Sequence, residues 1–432
     1  MSDGALPTTA RALRTVLAQA QASGRVPSVV AGVAEDGVPT WCEGWGAVVA
    51  GPEETQYRIG SITKTLTAVL ILQLVDQEEL SLSAPVRDVL GPVPFGEATI
   101  ADLLSHSSGM PAEPSGTWWE RAGRGSFAEL IAAESQSAAV LAPGERFHYT
   151  NLAYGLLGEC VAVLTGQSWM EAVQQRLLDP LAMSRTSYGP GPNAARGYSV
   201  DVHRGTLLEE PTPDTGAMAP AGHLWSTVGD LLRWGSFLVS GHPEVATVEN
   251  LERAFISRSA AQPGSLAAGH GLGFALLSSG VGTLVGHTGS MPGFQAACFV
   301  ERSSRRVAVV LGNGTHGLAP GATAGRLLEA YAAAEPPLPT PWVPSTPVPE
   351  LIEPALGHWF WGTTRYEFCW EGAELVARVE GAVAWRYRVA GERIVGVSGY
   401  QDAEELRVVR GPDGSVHLNA ATFILTRTPY GR

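Results

Sequence analysis

One lysine stands alone among the basic residues of this 432-residue chain. Of the 29 Lys and Arg positions, 28 are arginine and the exception is Lys64, which follows Ser61 in a Ser-x-x-Lys arrangement. Lysine can lose its proton in a suitable site, whereas a guanidinium stays charged. Positions i and i+3 share a helix face, so the Lys64 amine would reach the Ser61 hydroxyl. The pair predicts a nucleophilic serine with a lysine base, whose pKa burial must lower.

A second motif, Tyr149-Thr150-Asn151, directly precedes a predicted helix and is the one Tyr-x-Asn in the chain. A tyrosine beside an ammonium can be held partly as phenolate and can pass a proton to a leaving group. An asparagine amide offers a donor and an acceptor to a substrate carbonyl or amide. The alternative interpretation is a half-buried loop aromatic followed by a helix N-cap.

A third motif, Gly286-His287-Thr288-Gly289-Ser290, lies at the end of a strand predicted over Gly282 to His287. Glycine on a strand allows close backbone approach. The backbone N–H groups of Ser61 and Ser290 would then form an oxyanion hole, and His287 would hydrogen-bond into the site. The predicted substrate-binding residues are Asn151, His287, Thr288, Gly289 and Ser290.

These motifs require a sheet and a helix that meet, and the periodicity of the chain predicts both. Helices are predicted over Thr9 to Ala22, Ser61 to Gln77 and Ala319 to Ala334, and a helical insertion, broken by Gly/Pro loops, is predicted over about 80 to 270. Strands are predicted over Val26 to Ala34, Val38 to Val49, Gly282 to His287, Phe294 to Glu301 and Val307 to Leu311. We predict an α+β fold: an antiparallel sheet flanked by N- and C-terminal helices, with an inserted helical domain.

The C-terminal part of the chain differs in composition. Seven prolines fall within 336–349, which predicts a stiff linker after a first domain of residues 1–335. Residues 350–432 alternate apolar and polar positions and are rich in Trp, Tyr, Val and Gly, and Pro412-Asp413-Gly414 is typical of a hairpin. We predict a small all-β domain there.

Composition excludes some partners. A net charge of −13 argues against nucleic acid and anionic membranes. The N-terminus lacks the pattern of a secretory signal, and the four cysteines are far apart, which together favour reduced thiols and a cytoplasmic protein. The ten histidines are scattered along the chain, and His106, His148, His223 and His270 are expected to be structural or rim residues. We therefore predict no metal and no cofactor.

The order of the three motifs resembles the serine β-lactamase and penicillin-binding-protein superfamily. More narrowly, it is similar to the class C-like branch that includes D-aminopeptidases, DD-carboxypeptidases and family VIII esterases. Two further segments support the likeness: Leu103-Leu104-Ser105-His106-Ser107-Ser108-Gly109, and the Gly-rich loop from Ala221 to Thr227 followed by Asp230. The likeness covers about residues 10 to 335.

The resemblance implies acyl transfer. Ser61 would attack a carbonyl and become acylated, Lys64 and Tyr149 would handle the proton, and water or another nucleophile would release the acyl group. The expected partner is a small-molecule ester or amide, with an amine acceptor as an alternative to water. A D-aminopeptidase, a DD-carboxypeptidase, a weak β-lactamase and an inactive binding homologue are the other hypotheses.

One difference from the family's motifs bears on the choice among these activities. The third motif carries His287 where class C β-lactamases and most penicillin-binding proteins carry lysine. A neutral imidazole binds a carboxylate less strongly than an ammonium does, which fits esterases and aminopeptidase-like members better. An α/β-hydrolase would need a Gly-x-Ser-x-Gly elbow, and the chain has none.

Overall fold

The computed structural model describes residues 5–123, 125–262, 264–336, 341, 347–412 and 414–430. The chain forms two compact units, Met1–Pro337 and Leu338–Arg432. Most of the linker predicted over 336–349, and the Asp413 of the predicted hairpin, lie outside the described residues.

The first unit is built on an eight-stranded antiparallel sheet with the strand order β2-β1-β12-β11-β10-β9-β8-β7. Two further strand pairs, β3 with β6 and β4 with β5, lie outside this sheet. The strands are β1 (Ser28–Glu35), β2 (Val38–Gly46), β3 (Tyr57–Arg58), β4 (Tyr198–Asp201), β5 (Thr206–Glu209), β6 (Trp225–Ser226), β7 (Ser259–Ala260), β8 (Ala268–His270), β9 (Ala275–Ser279), β10 (Gly282–Met291), β11 (Phe294–Glu301) and β12 (Arg306–Gly312).

The helices of this unit fall mainly between β3 and β7, with one at each end. They are α1 (Pro7–Gly24), α2 (Thr63–Asp76), α3 (Arg87–Leu90), α4 (Ile100–Leu104), α5 (Trp119–Ala122), α6 (Phe127–Ala133), α7 (Leu152–Thr165), α8 (Trp169–Val173), α9 (Ala219–Gly222), α10 (Val228–Ser240), α11 (Val248–Ala254) and α12 (Pro320–Ala334). A π-helical turn, Gln174–Leu178, continues α8.

Both faces of the sheet are covered, and strand periodicity divides the core into two layers. Val29, Ala31 and Val33 of β1 point into one apolar cluster, which also holds residues of α1 and α12. Val30 and Ala34 point into the other, which holds α2, α7 and α10. Because β1 is buried on both faces, it is apolar at nearly every position.

Helix α2 lies inside the second cluster, and twelve of its fourteen residues are buried. Two of its threonines accept hydrogen bonds from neighbouring helices: Trp234 Nε1 donates to Thr65 Oγ1 at 3.0 Å, and Trp169 Nε1 donates to Thr67 Oγ1 at 3.1 Å. A helix that is buried on all sides and held by such bonds gives rigid support to the residues that begin it.

The second unit is a closed eight-stranded antiparallel barrel in simple chain order. Its strands are β13 (Gly357–Trp361), β14 (Thr364–Glu371), β15 (Glu374–Val379), β16 (Ala382–Ala390), β17 (Arg393–Ser398), β18 (Glu405–Arg410), β19 (Val416–Ala420) and β20 (Phe423–Thr426). β13 pairs with β20 and closes the barrel around an apolar interior that includes Trp359, Phe368 and Tyr387.

The predicted α+β fold class is confirmed, with differences in detail: β2 ends at Gly46 and not at Val49, and β4 to β8 lie within the segment predicted as a helical insertion. The sheet is wider than predicted, because β7, β8 and β9 extend it beyond β10. β10 itself runs to Met291, four residues past the predicted end. No helix among the described residues is both long and apolar enough to cross a membrane.

Candidate active site

Ser61 lies in a 3-10 turn, Gly60–Ile62, that leads directly into α2. Gly60 has a φ of 51°, and a Cβ atom there would lie 2.5 Å from the backbone nitrogen of Ser290. Only glycine lets the turn pack this closely against β10. Since N–H groups in the first turn have no partner within the helix, the Ser61 N–H is available to a ligand.

Lys64 is fully buried beneath Ser61. Its Nζ lies 3.0 Å from Ser61 Oγ, 2.6 Å from Asn151 Oδ1 and 2.6 Å from the carbonyl oxygen of Ala221. Burial lowers the pKa of Lys64 to about 7, although nearby negative charges act in the opposite direction. The structure therefore brings the predicted pair together and supplies the pKa change that the lysine needs as a base.

The partners of Lys64 fit the neutral amine. A neutral amine has two N–H donors and one lone pair, and both Asn151 Oδ1 and the Ala221 carbonyl oxygen can only accept. In the neutral form, Asn151 and Ala221 accept the two N–H groups and the lone pair faces the Ser61 hydroxyl, whereas in the ammonium form the third N–H donates to Ser61 Oγ. This arrangement places a proton acceptor on the nucleophile before any substrate arrives.

Glu113 fixes the orientation of the Asn151 amide. Asn151 Nδ2 donates to Glu113 Oε1 at 2.7 Å, and Trp119 Nε1 donates to Glu113 Oε2 at 2.8 Å. A carboxylate can only accept, so the amide must turn its NH₂ toward Glu113 and its oxygen toward Lys64. Asn151 does occupy the N-cap position of α7, but its side chain makes no capping hydrogen bond.

Tyr149 packs between Lys64 and His106. Its ring stacks on the His106 imidazole with centroids 4.1 Å apart, and Lys64 Nζ lies 5.0 Å from the Tyr149 centroid. Burial raises the pKa of Tyr149, while a hydrogen bond with Ser61 opposes that change. Burial therefore disfavours the expected partial phenolate and favours the protonated phenol.

His106 holds the backbone on both sides of Tyr149. The Thr150 N–H donates to His106 Nδ1 at 3.1 Å, and the His148 N–H donates to the His106 carbonyl oxygen at 2.8 Å. His106 itself has a φ of 55°, in the left-handed region. His106 was expected to be a structural or rim residue. It also holds the backbone beside Tyr149, which is a residue of the site.

The third motif lies inside β10, at an open edge. β9 pairs with β10 only as far as Gly286, so within the described part of the chain the edge from His287 onward has no neighbouring strand. The Ser61 turn packs there, and a Cβ atom on Gly289 would lie 1.8 Å from the carbonyl oxygen of Ile59. The Ser290 N–H and the Ser61 N–H thus come together where the oxyanion hole is predicted.

A cavity of about 520 Å³ opens over Ser61. Its described lining contains every predicted site residue except Lys64, which lies beneath it: Ser61, Tyr149, Asn151, His287, Thr288, Gly289 and Ser290, together with Glu120, Gln295 and the segment 319–322. Among these residues Glu120 is the acidic one, and burial raises the pKa of its carboxyl. Gln295, opposite Ser290 on β11, has a buried Oε1 that finds no hydrogen-bond partner in the described ranges.

The histidines are not scattered as the sequence suggested. His106, His270 and His287 are all buried, and one ring nitrogen from each lies within 4.8 Å of the others. They come from the turn after α4, from β8 and from β10, which are far apart in the chain. The expectation that no such cluster exists is wrong for these three residues.

The family follows from the sequence match over this unit. Residues 13–333 match the family model described as Beta-lactamase. The chain belongs to the beta-lactamase family. Residues 348–427 match a domain of unknown function, DUF7586, which corresponds to the barrel.

Curated relatives of this beta-lactamase family member are matched over part of their length. Penicillin-binding protein 4 of Amycolatopsis lactamdurans is 32% identical over 203 residues, which cover 44% of this chain and 52% of that protein. The D-alanyl-D-alanine-carboxypeptidase/endopeptidase AmpH of Escherichia coli K12 is 30% identical over 191 residues, covering 41% and 47%. The chain spans about half the length of these relatives.

Solved structures share the fold. The octameric penicillin-binding protein homologue from Pyrococcus abyssi superposes with a TM-score of 0.67 at 24% identity, covering 96% of this chain and 98% of that chain. The D-amino acid amidase from Ochrobactrum anthropi SV3 superposes with a TM-score of 0.66 at 22% identity, covering 76% and 99%. The first of these likenesses extends over both units of this chain.

Four residues of the site were not predicted from the sequence. Glu113, Glu120 and Gln295 lie outside the motifs, and nothing in their local pattern marks them. Ala221 acts through its backbone carbonyl, which any residue type could offer. Its position was detectable only as part of the Gly-rich loop before α10.

Proposed function

We propose that this chain is a serine hydrolase of the β-lactamase type, which cleaves a small amide or ester through an acylated Ser61. The observation that carries the proposal is the hydrogen-bond pattern of Lys64. Asn151 Oδ1 and the Ala221 carbonyl oxygen accept two of its N–H groups and Nζ lies 3.0 Å from Ser61 Oγ, so that in the neutral form its lone pair faces the Ser61 proton. Few structural roles would require a buried lysine in this protonation state.

In the proposed reaction the catalytic residues exchange protons and return to their starting state. Ser61 Oγ attacks the substrate carbonyl as its proton passes to Lys64, and the N–H groups of Ser61 and Ser290 hold the oxyanion. The Tyr149 hydroxyl gives its proton to the leaving group and regains one from Lys64. Water then attacks the acyl-enzyme and releases the acid and free Ser61.

The charge of the cavity favours a substrate that carries an ammonium. Glu120 supplies a carboxylate and Gln295 supplies an unpaired oxygen, so both groups accept hydrogen bonds from a cation. The described lining residues include no arginine or lysine that would pair with a substrate carboxylate. This supports an amidase or aminopeptidase-like activity over a DD-carboxypeptidase or β-lactamase.

Transfer of the acyl group to an amine is the second candidate. Its support is the same pair of acceptors, since an amine held by Glu120 lies in the cavity that contains Ser61. Product analysis with and without added amines separates the two reactions, because transfer forms an amide and hydrolysis forms an acid.

The decisive experiment has two parts. The protein is incubated with a fluorophosphonate and weighed, and an adduct on Ser61 that Ser61→Ala lacks is expected. Amino-acid amides and esters of both configurations are then compared with their N-acetylated forms. Absence of both adduct and turnover would reject the enzyme in favour of a binding homologue, and preference for the N-acetylated forms would reject the ammonium site.

A further inference from the structure

The His106, His270 and His287 cluster contains three unpaired nitrogen atoms. The Nε2 atoms of all three rings are buried and have no hydrogen-bond partner among the residues that the structure describes. One ring nitrogen from each residue lies within 4.8 Å of the others. Buried polar atoms normally have partners, so three unpaired ones in a single cluster indicate something that contacts them together.

Two of the rings are already arranged as metal ligands. His270 Nδ1 donates to the Gly271 carbonyl oxygen at 3.1 Å, and His287 Nδ1 donates to the Thr288 carbonyl oxygen. A carbonyl can only accept, so both rings carry their proton on Nδ1 and keep a lone pair on Nε2. A histidine that ligates a metal usually has its other nitrogen hydrogen-bonded in this way.

The donor set of the cluster indicates the kind of ion that fits it. All three groups are imidazoles, and no carboxylate belongs to the cluster among the described residues. Three imidazoles without a carboxylate suit a borderline transition metal and not Ca²⁺ or Mg²⁺, which prefer oxygen ligands.

We propose that His106, His270 and His287 form a site for one divalent transition-metal ion of the Zn²⁺ type. Zn–N bonds of about 2.0–2.1 Å require the nitrogens to approach to roughly 3.3 Å, so the cluster contracts on binding. The fourth ligand would be water or an anion. The ion lies beside the catalytic residues, because His106 stacks on Tyr149.

The state of His106 couples metal binding to the active site. Its Nδ1 accepts the Thr150 N–H, so its proton is on Nε2. For Nε2 to ligate the ion, the His106 proton must move to Nδ1, and Thr150 then loses its acceptor. Because Thr150 follows Tyr149, occupancy displaces the tyrosine, and the ion acts as an inhibitor.

Binding is tested on the full chain without reference to activity. The protein is stripped with a chelator, and Zn²⁺ or Co²⁺ is added. We expect one Zn²⁺ per chain after dialysis, a rise in melting temperature, and visible Co²⁺ absorption bands typical of nitrogen ligands in a tetrahedral site. His270→Phe keeps the ring and removes a ligand, so its stoichiometric binding should be lost. His316→Ala, at an exposed histidine, is the matched control and should bind as the wild type does.

The Co²⁺ spectrum of the wild type decides the case even if His270→Phe fails to fold. Absence of these bands, or a stoichiometry near zero, overturns the site and leaves a cluster in which His106 donates a hydrogen bond to another ring. Binding undiminished in a folded His270→Phe places the metal elsewhere. Inhibition is read separately: Zn²⁺ should abolish fluorophosphonate labelling of Ser61, and chelator should restore it. Labelling unaffected by a bound ion overturns the coupling to Tyr149.

Discussion

The Lys64 amine and the Asn151 amide oxygen lie 2.6 Å apart inside the protein, and the rest of the site follows from that contact. Asn151 cannot rotate to offer its NH₂, because Glu113 holds that group. The lysine thus faces two oxygens that only accept, and its Nζ lies 3.0 Å from Ser61 Oγ. Orientation of the amide places the acceptor, and burial lowers the pKa of the base to about 7.

Lys64→Arg should abolish acylation while the protein stays folded. A guanidinium keeps the charge and stays protonated, so Ser61 loses its base. We expect labelling of Ser61 to slow by about 10²-fold or more, the range found for general bases. Intact mass against time measures the rate, and thermal unfolding reports folding.

The control for this variant is Arg11→Lys, an exposed arginine on α1, which should label at the wild-type rate. Lys64→Met, which removes the base without adding a charge, covers the case in which arginine does not fit the buried site. Rapid labelling of a folded Lys64→Arg or Lys64→Met would refute the lysine as base.

The pH profile of kcat/KM should show an acidic limb near pH 7. Lys64 acts as a base only when neutral, and its pKa is lowered to about 7 by burial. Activity is therefore full above this pH and falls tenfold per unit below it, as a single protonation requires. Steady-state rates between pH 5 and 9 with an uncharged ester measure the limb. An acidic limb near pH 4 would indicate a carboxylate base instead.

Much of this site was predictable because its parts are local. Ser61 and Lys64 share a helix face by spacing alone, and Tyr149 and Asn151 are two residues apart. Glu113 and Gln295 were not predictable, since their roles depend on which loops and strands meet in space. The same holds for barrel closure, because the pairing of β13 with β20 joins the two ends of the domain and leaves no local pattern.

Glu113→Gln should move the acidic limb to lower pH. The negative charge of Glu113 raises the pKa of Lys64, so its removal lowers that pKa. The variant also weakens the contact that orients Asn151. Both carboxylate oxygens of Glu113 accept an N–H group, one from Asn151 and one from Trp119, whereas a glutamine must turn its NH₂ toward one of these donors. We expect a lower kcat together with the shifted limb. A limb that stays in place or moves to higher pH would contradict the electrostatic role.

Glu120→Gln should lower kcat/KM for substrates that carry an ammonium. Loss of one charge-assisted hydrogen bond costs about 1.5–3 kcal/mol, which is about 10- to 100-fold in kcat/KM. N-acetylated substrates should change little, because they do not present a cation. Ratios of kcat/KM for the two substrate forms give the result, with Glu244→Gln on the exposed surface as control. Equal losses for both forms would assign Glu120 a structural role.

Gly289→Ala should disable the oxyanion hole. The added Cβ would lie 1.8 Å from the Ile59 carbonyl oxygen, so β10 and the Ser61 turn must separate and the two N–H donors diverge. Removal of one such donor costs about 10²- to 10³-fold in kcat. Gly189→Ala is the matched control, because that exposed glycine has open space around it and should keep wild-type kcat. The effect should fall on kcat more than on KM, because the hole stabilises charge that develops only in the transition state. A loss confined to KM would place the damage in substrate binding and not in the oxyanion hole.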